Sequence, residues 1–381
     1  MRWVAVPPTR RAVSLARGDP REAEAAAREL FSGRPVRLFE SGTQSLAAAI
    51  VHLGRGRVLP ESEVILPAYG CPDLISACVL ANVRPRLVDV AADGWGYDCA
   101  QLAAALSPRT VAILAVNLLG VGDAASELLK VARAADTNLI QDSAQHLPRA
   151  QVAWPGDCVV LSFGRGKPLN LLGGGALVLP LGENASASSA GESHRLPSSR
   201  LAALAFNSAT SPLAFNWVSR LPGMGLGETH YKPPTTINAV AFDGWSQVGP
   251  ALRGYRQQPS YGAGVWSEAL DAWRDRGISR LGFADANGPS TEPEPLRLAL
   301  LAPDRAARDR LVEALSRAGL GASSMYGEAL HRIPGIPAFA AAQGPFPNAM
   351  ALAERLFTLP THRDVTHGAV ARAIRCVREL S

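Results

Sequence analysis

Glu63-Val64-Ile65-Leu66-Pro67-Ala68-Tyr69-Gly70-Cys71-Pro72-Asp73-Leu74-Ile75-Ser76-Ala77-Cys78-Val79-Leu80-Ala81-Asn82-Val83-Arg84-Pro85-Arg86-Leu87-Val88-Asp89-Val90 reads as strand, helix, strand. Glu63–Pro67 is a short apolar run of strand length, Pro72 suits the first turn of a helix reaching about Ala81, and Arg86–Val90 is a second short run. Two strands joined by so compact a helix lie parallel in one sheet, through a right-handed crossover. The alternation continues on both sides. A helix over 43–54 precedes it. After it come a helix near 98–106, a strand at Val111–Val116, a helix at 123–136 and a strand at Asn138–Asp142, with Cys158–Phe163 and Gly175–Leu179 as closing strands. The pattern predicts an α/β fold whose mostly parallel sheet is flanked by helices. Ligands of such sheets bind where the carboxyl ends of the strands meet, so functional residues are expected just after strands.

Farther out the pattern changes. Residues 181–260 gain Ser, Ala, Pro and Gly and lose apolar periodicity. Order returns with a strand at Leu296–Leu301, a helix at 304–318 opened by Asp304, a strand ending near Tyr326 and a last helix at Val365–Leu380. The division expected is a large domain over 1–260 and a small C-terminal α/β domain over 261–381. The large domain would include an N-terminal arm, 1–40, and an interface-forming stretch, 181–260. At 381 residues the chain is long enough for two such units.

Composition narrows the function classes. The 38 Lys+Arg outnumber the 33 Asp+Glu, but the cations are scattered singly, so there is no footprint for nucleic acid. The 5 cysteines form neither a C-x-x-C pair nor a metal-like cluster and suit a reducing compartment. No run of about 18 apolar residues crosses a membrane. A cytoplasmic, soluble protein is expected, with no metal.

Four features fall at strand ends. Ser41-Gly42-Thr43 opens a helix, and free N–H groups at such a start attract an anion, for about 0.3–1 kcal/mol. The same residues also suit a plain N-cap. Asp142 ends the apolar run from Asn138. It suits either a cap or a carboxylate set against a protonated ring nitrogen, an ion pair of about 4 kcal/mol at about 4 Å and an effective dielectric near 20. Lys167 leaves a buried strand through Ser162-Phe163-Gly164-Arg165-Gly166, the setting of a nucleophilic lysine, with the Ser162 hydroxyl within the same loop. Of the other lysines, Lys130 lies on the polar side of a helix and Lys232 in a Pro-rich loop. Gly173-Gly174-Gly175 then starts a strand where missing side chains admit a close approach.

The segments SGTQSL (41–46), EVILPAY (63–69), PRLVDV (85–90), SPRTVAILAVNLLG (107–120), LIQDSAQHL (139–147), LSFGRGKPLNLLGGGALV (161–178) and LAERLFTLPTH (352–362) resemble the DegT/StrS-type aminotransferases. These are fold type I enzymes that use pyridoxal 5′-phosphate (PLP) to aminate keto groups of nucleotide-linked sugars. The resemblance implies PLP as cofactor, held as a Schiff base by Lys167, which also serves as the acid/base. It implies that Gly42, Thr43 and Ser162 hold the phosphate, Asp142 pairs with the pyridine nitrogen and Gln145 contacts the ring hydroxyl. Cys71 stands where the family has a ring-stacking aromatic, and Tyr69 is expected to substitute. Asn117 stands where a family histidine precedes the L-x-G element.

The resemblance further implies a homodimer, with Glu228, His230, Tyr231 and Lys232 as candidates for the arm reaching the neighbour. The family's asparagine segment is not evident in the Leu221–Tyr231 region. Tyr326 and His331 resemble a substrate-facing Tyr-x-x-x-x-His element, and they suit a surface loop equally well. The implied reaction moves an amino group from an amino acid, glutamate in the family, to a keto nucleotide-sugar. Three other readings are a non-sugar ketone acceptor, a dehydratase and a non-catalytic regulatory homologue. Lys167 argues against the dehydratase, because that branch generally carries histidine at the lysine position. Intact Asp142 and Lys167 argue against the regulator.

Overall fold

The computed structural model describes residues 5–7, 12–55, 61–92, 96–120, 124–149, 151–183, 199–212, 214–215, 231, 235–258, 263–281 and 295–380. Its main sheet has seven strands: β1 (Val36–Phe39), β2 (Glu63–Pro67), β3 (Arg84–Val88), β4 (Thr110–Val116), β5 (Asn138–Asp142), β6 (Cys158–Ser162) and β7 (Gly175–Val178). They lie in the order β1-β7-β6-β5-β4-β2-β3. The five from β6 to β3 are mutually parallel, and β7 runs antiparallel to both β6 and β1. The carboxyl ends of β1, β4, β5 and β6 therefore share one edge with the amino end of β7.

Alternation within the strands sets three layers. Ile65, Val88, Ile113, Ala115 and Leu139 face α4 (Cys99–Ala105) and α5 (Ala125–Ala134), where Leu102, Leu128 and Ala132 close the layer. Their neighbours Val64, Leu66, Leu114 and Ile140 face the opposite side, against Leu46 and Ile50 of α2 (Gly42–Leu53) and Leu74 and Ile75 of α3 (Asp73–Leu80). Both faces are covered, so β4 is buried at all its positions and reads as a continuous apolar run. Each fully buried Leu or Ile contributes about 1.5–3 kcal/mol.

A second sheet is antiparallel, in the order β10 (Leu356–Pro360), β9 (Arg297–Leu301), β8 (Ser279–Arg280). Helices Ser267–Trp273, Arg305–Arg317 and His367–Arg378 cover it around Trp266, Trp273, Leu315 and Phe357. The stretch from Ala329 to Leu356 packs instead on the core of the main sheet, so the C-terminal part of the chain contributes to both bodies.

Several expectations need correction. Residues 1–40 are not simply an arm: α1 (Pro20–Leu30) packs on helix Trp245–Gln257, β1 is an edge strand of the main sheet, and Val6 is buried in the core of the second sheet. No strand ends at Tyr326. Ser323 makes one bridge to Thr358, and the chain then turns through Met325, whose φ is +53°. Among the described residues no helix is long and apolar enough to cross a membrane, and no group of His, Cys, Asp or Glu is placed to hold a metal ion.

Candidate active site

A cavity of about 260 Å³ opens at the shared strand edge, with walls from five strand ends and from the C-terminal stretch. Its floor is made of backbone. Ser41 caps α2, its Oγ accepting from Gln44 N at 3.2 Å, which leaves the N–H groups of Gly42 and Thr43 at the helix start. Helix and sheet approach so closely that side chains are excluded. A Cβ at Gly42 would lie 2.7 Å from the Ser162 Cβ, and one at Gly175 would lie 2.7 Å from Gly42 N and from the Ser41 carbonyl. The register explains this, because Gly175 sits between Ser162 and Phe39 with the start of α2 directly above it. The result is a cradle lined by N–H groups and the Ser162 hydroxyl, suited to a phosphate.

Asp142 lies at the end of β5 and is only 8% exposed. Its Oδ1 accepts from Ala144 N at 2.9 Å. Burial holds its carboxyl above the usual range, opposed by the Ala144 hydrogen bond and by the charge of Lys167. A desolvated carboxylate of this kind calls for a cation beside it. Lys167, half-buried, enters the same cavity from the loop after β6 and makes no side-chain hydrogen bond with a described residue. Lys130 by contrast is exposed and paired with Glu127 at 2.8 Å.

Gln145 is fixed at both ends. Its Oε1 accepts from Leu119 N at 2.7 Å and its Nε2 donates to the Tyr326 hydroxyl at 2.9 Å. The Leu119 N–H can only donate, so the amide orientation is settled and one amide hydrogen stays available to a ligand. Tyr326 thereby joins the wall from a position 181 residues away. Burial raises the Tyr326 phenol well above its usual range. Asn117, also on the wall, donates from Nδ2 to Ser143 Oγ at 2.7 Å.

The structure brings Gly42, Thr43, Asp142, Gln145, Ser162, Lys167 and Tyr326 to one cavity. It does not bring Tyr69 there. Ala68 extends the pairing of β2 through Val88 O and accepts from Leu330 N at 2.8 Å, so Tyr69 is trapped under the C-terminal stretch, edge-on to the Tyr326 ring at 5.9 Å. Its hydroxyl is buried against the Tyr326 main chain without a hydrogen bond of proper geometry. Cys71 takes the wall position itself, with a thiol that burial, and then the charge of Asp73, push up to about 12. It is a neutral surface at physiological pH.

His331 also misses the cavity, packing edge-on to Phe346 at 5.1 Å. Tyr231 rests on the main core beside Gly335, away from the wall. Glu228, His230 and Lys232 lie outside the described residues. Three residues passed over in the sequence reading matter. Asp73 and Arg165 are on the wall, the latter inside the quoted lysine loop. Asn238, in a segment paired with β1, donates from Nδ2 to Glu40 Oε2 at 2.8 Å, and its N–H donates to Gln44 Oε1 at 3.1 Å, at the base of the cradle. Ile237-Asn238 was an available signal for the asparagine segment sought a few residues earlier.

A model of the DegT/DnrJ/EryC1/StrS aminotransferase family matches residues 20–197 and 286–378. The chain belongs to that family. Among curated relatives, the 3-amino-5-hydroxybenzoate synthase of Amycolatopsis mediterranei is 33% identical over 147 residues, 38% of this chain and 37% of the relative. The UDP-N-acetyl-3-dehydro-alpha-D-glucosamine 3-aminotransferase of Acidithiobacillus ferrooxidans is 31% identical over 144 residues, 36% of this chain and 38% of the relative. The matched part of this family member thus spans less than two fifths of each relative. Among solved structures, DesV from S. venezuelae has a TM-score of 0.68 at 21% identity, covering 96% of this chain and 90% of that one, which shows a common fold.

The family's cofactor, PLP, fits the donor set. The N–H cradle that excludes any Cβ suits its phosphate, the desolvated Asp142 carboxylate suits its ring cation, and Lys167 supplies a primary amine in the same cavity.

Proposed function

We propose that this protein is a PLP-dependent aminotransferase that moves an amino group from an amino acid, glutamate, to a keto group of a nucleotide-linked sugar. The observation that carries the reading is the convergence of Lys167, Asp142 and the start of α2 on one cavity. Bound PLP supplies an electron sink for the carbon that gives up its proton. The chain's own residues do the rest. Gly42 N, Thr43 N and the Ser162 hydroxyl bind the phosphate and fix the register of the ring. The Asp142 carboxylate, oriented by Ala144 N, keeps the ring nitrogen protonated, and in exchange its own burial is compensated. The remaining hydrogen of Gln145 Nε2 would be donated to the ring hydroxyl. The Lys167 Nζ would hold the cofactor and, when free, would take up and return the proton of the substrate carbon; no other described wall residue carries an amine.

The acceptor class rests on a relative whose name is that of an aminotransferase for a UDP-linked keto sugar. Purified protein is to be incubated with PLP, glutamate and a panel of keto nucleotide-sugars, and the aminated products separated by mass. Amination of at least one member supports the reading. No amination of any, with turnover on a keto compound that lacks a nucleotide, contradicts the sugar assignment. The working unit proposed is a homodimer, and light scattering that finds an active monomer removes this part.

A further inference from the structure

Two charged groups on the cavity wall, Asp73 and Arg165, are not used by the cofactor-binding residues, and of these Arg165 is the cation. Arg165 is exposed, lines the cavity and has no ion pair or side-chain hydrogen bond with a described residue. Its placement follows from the backbone. Lys167 N donates to Gly164 O at 3.2 Å, and Gly166 has φ +75°, the signature of a type II turn with glycine at its third position. Arg165 and Lys167 thus flank one glycine on a single four-residue turn, their Cα atoms joined by two peptide units. A guanidinium stays charged at every working pH and presents a planar fork matched to carboxylates and phosphates. At the open side of a cavity it is incompletely desolvated, so it attracts an anion without carrying the cost of a buried unpaired charge. Thr43 and Ser162 also line the cavity and are assigned to the cradle, where the N–H groups at the start of α2 are available.

We propose that Arg165 is the anion anchor of the substrate site, gripping a carboxylate or phosphate group of the molecule that reacts at Lys167 and so restricting the enzyme to anionic substrates. This rests on the aminotransferase reading above. Two sources offer the chemistry: the carboxylates of the amino donor and the diphosphate of a nucleotide-linked acceptor.

The test uses the PLP-loaded protein, its Arg165→Gln and Arg165→Lys variants, and two probes that do not react, glutarate for the donor and UDP for the acceptor. Binding is measured by calorimetry, the two half-reactions by cofactor absorbance, and cofactor retention by equilibrium dialysis. Arg165→Gln is expected to weaken one probe at least 10-fold and lower kcat/KM of the matching half-reaction by a similar factor, with thermal stability and cofactor retention unchanged. Arg165→Lys is expected to recover only part, because a point charge replaces the fork. Loss confined to glutarate assigns the anchor to the donor, and loss confined to UDP assigns it to the acceptor; both support it. Unchanged affinity for both probes overturns it. So does faster loss of PLP with probe affinity intact, because the guanidinium then serves the cofactor phosphate. Failure of both half-reactions in the wild type defeats the aminotransferase reading alone, since probe binding still decides the role of Arg165.

Discussion

On one side of the cavity, Ser41, Gly42, Thr43 and Gly174 present main chain, held by the pairing of β1, β6 and β7. On the other side, Cys71, Gln145 and Tyr326 present side chains, with Gln145 and Tyr326 joined by a hydrogen bond across 181 residues of sequence. The first wall is made by removing side chains, and nothing larger than hydrogen fits at Gly42 or Gly175. The second is made by placing them, and each can be altered without moving a strand. A floor of fixed geometry suits the invariant phosphate of a cofactor, while on the side-chain wall Gln145 and Cys71 are placed for its ring and Tyr326 is left to meet substrates that differ.

The sharpest test of the contrast is the amine standing between the two walls. Lys167→Arg preserves charge but supplies no nucleophilic nitrogen, so amino transfer and fixation of PLP by borohydride should both vanish, while phosphate contacts still retain some cofactor. In the wild type, reduction followed by peptide mapping should place the label on Lys167; a label on Lys130 would break the assignment. Next in size is Asp142→Asn, nearly isosteric, which should lower kcat by several orders of magnitude through loss of the electron sink.

The same substitution has a second readout in cofactor-free protein. Burial raises the folded pKa of Asp142 above its unfolded value, about 3.9, so the native state holds the extra proton and stability falls as pH rises from that value to the folded pKa. Thermal unfolding of Asp142→Asn should lose this slope and give a Tm at pH 7 no lower than the wild type's. A lower Tm would mean that the carboxylate is satisfied as a helix cap.

Gly42→Ala probes the backbone wall. With a Cβ at 2.7 Å from Ser162, α2 must shift, costing about 1–3 kcal/mol of stability and weakening PLP retention, as denaturation and dialysis should report. Tyr326→Phe probes the other wall and should be milder: it removes one acceptor from Gln145, worth about 0.5–1.5 kcal/mol, and should raise substrate KM up to about tenfold with PLP retention unchanged. His331→Ala, beside Phe346 and off the wall, should leave both kinetic constants alone. If Tyr326→Phe instead loses PLP, the two walls are not separable.

Much of the backbone wall was legible before folding was considered. The strands Glu63–Pro67 and Asn138–Asp142 fall where the apolar runs put them, and α2 starts at the Ser41-Gly42-Thr43 cap, because burial on both faces leaves a one-dimensional trace. Arg84–Val88 begins two residues before the apolar run suggested, since Pro85 is buried in the pairing with Val64. Helix Trp245–Gln257 escaped notice because Pro250 and its glycines blur the period, and β1 because four residues leave too little pattern.

What the sequence determined by itself is therefore local: strand ends that carry Asp142, Ser162 and Lys167, and glycines that let the start of α2 meet them. Those positions follow from hydrophobic period and steric need, which act between near neighbours. The tertiary structure alone decided that Cys71 and not Tyr69 faces the cavity, that Tyr326 reaches Gln145 while His331 turns away, and that Val6 joins the second core. Each of these depends on what a distant segment covers, as Leu330 covers Ala68, and contacts of that range are set by packing of the assembled layers, which no local pattern records.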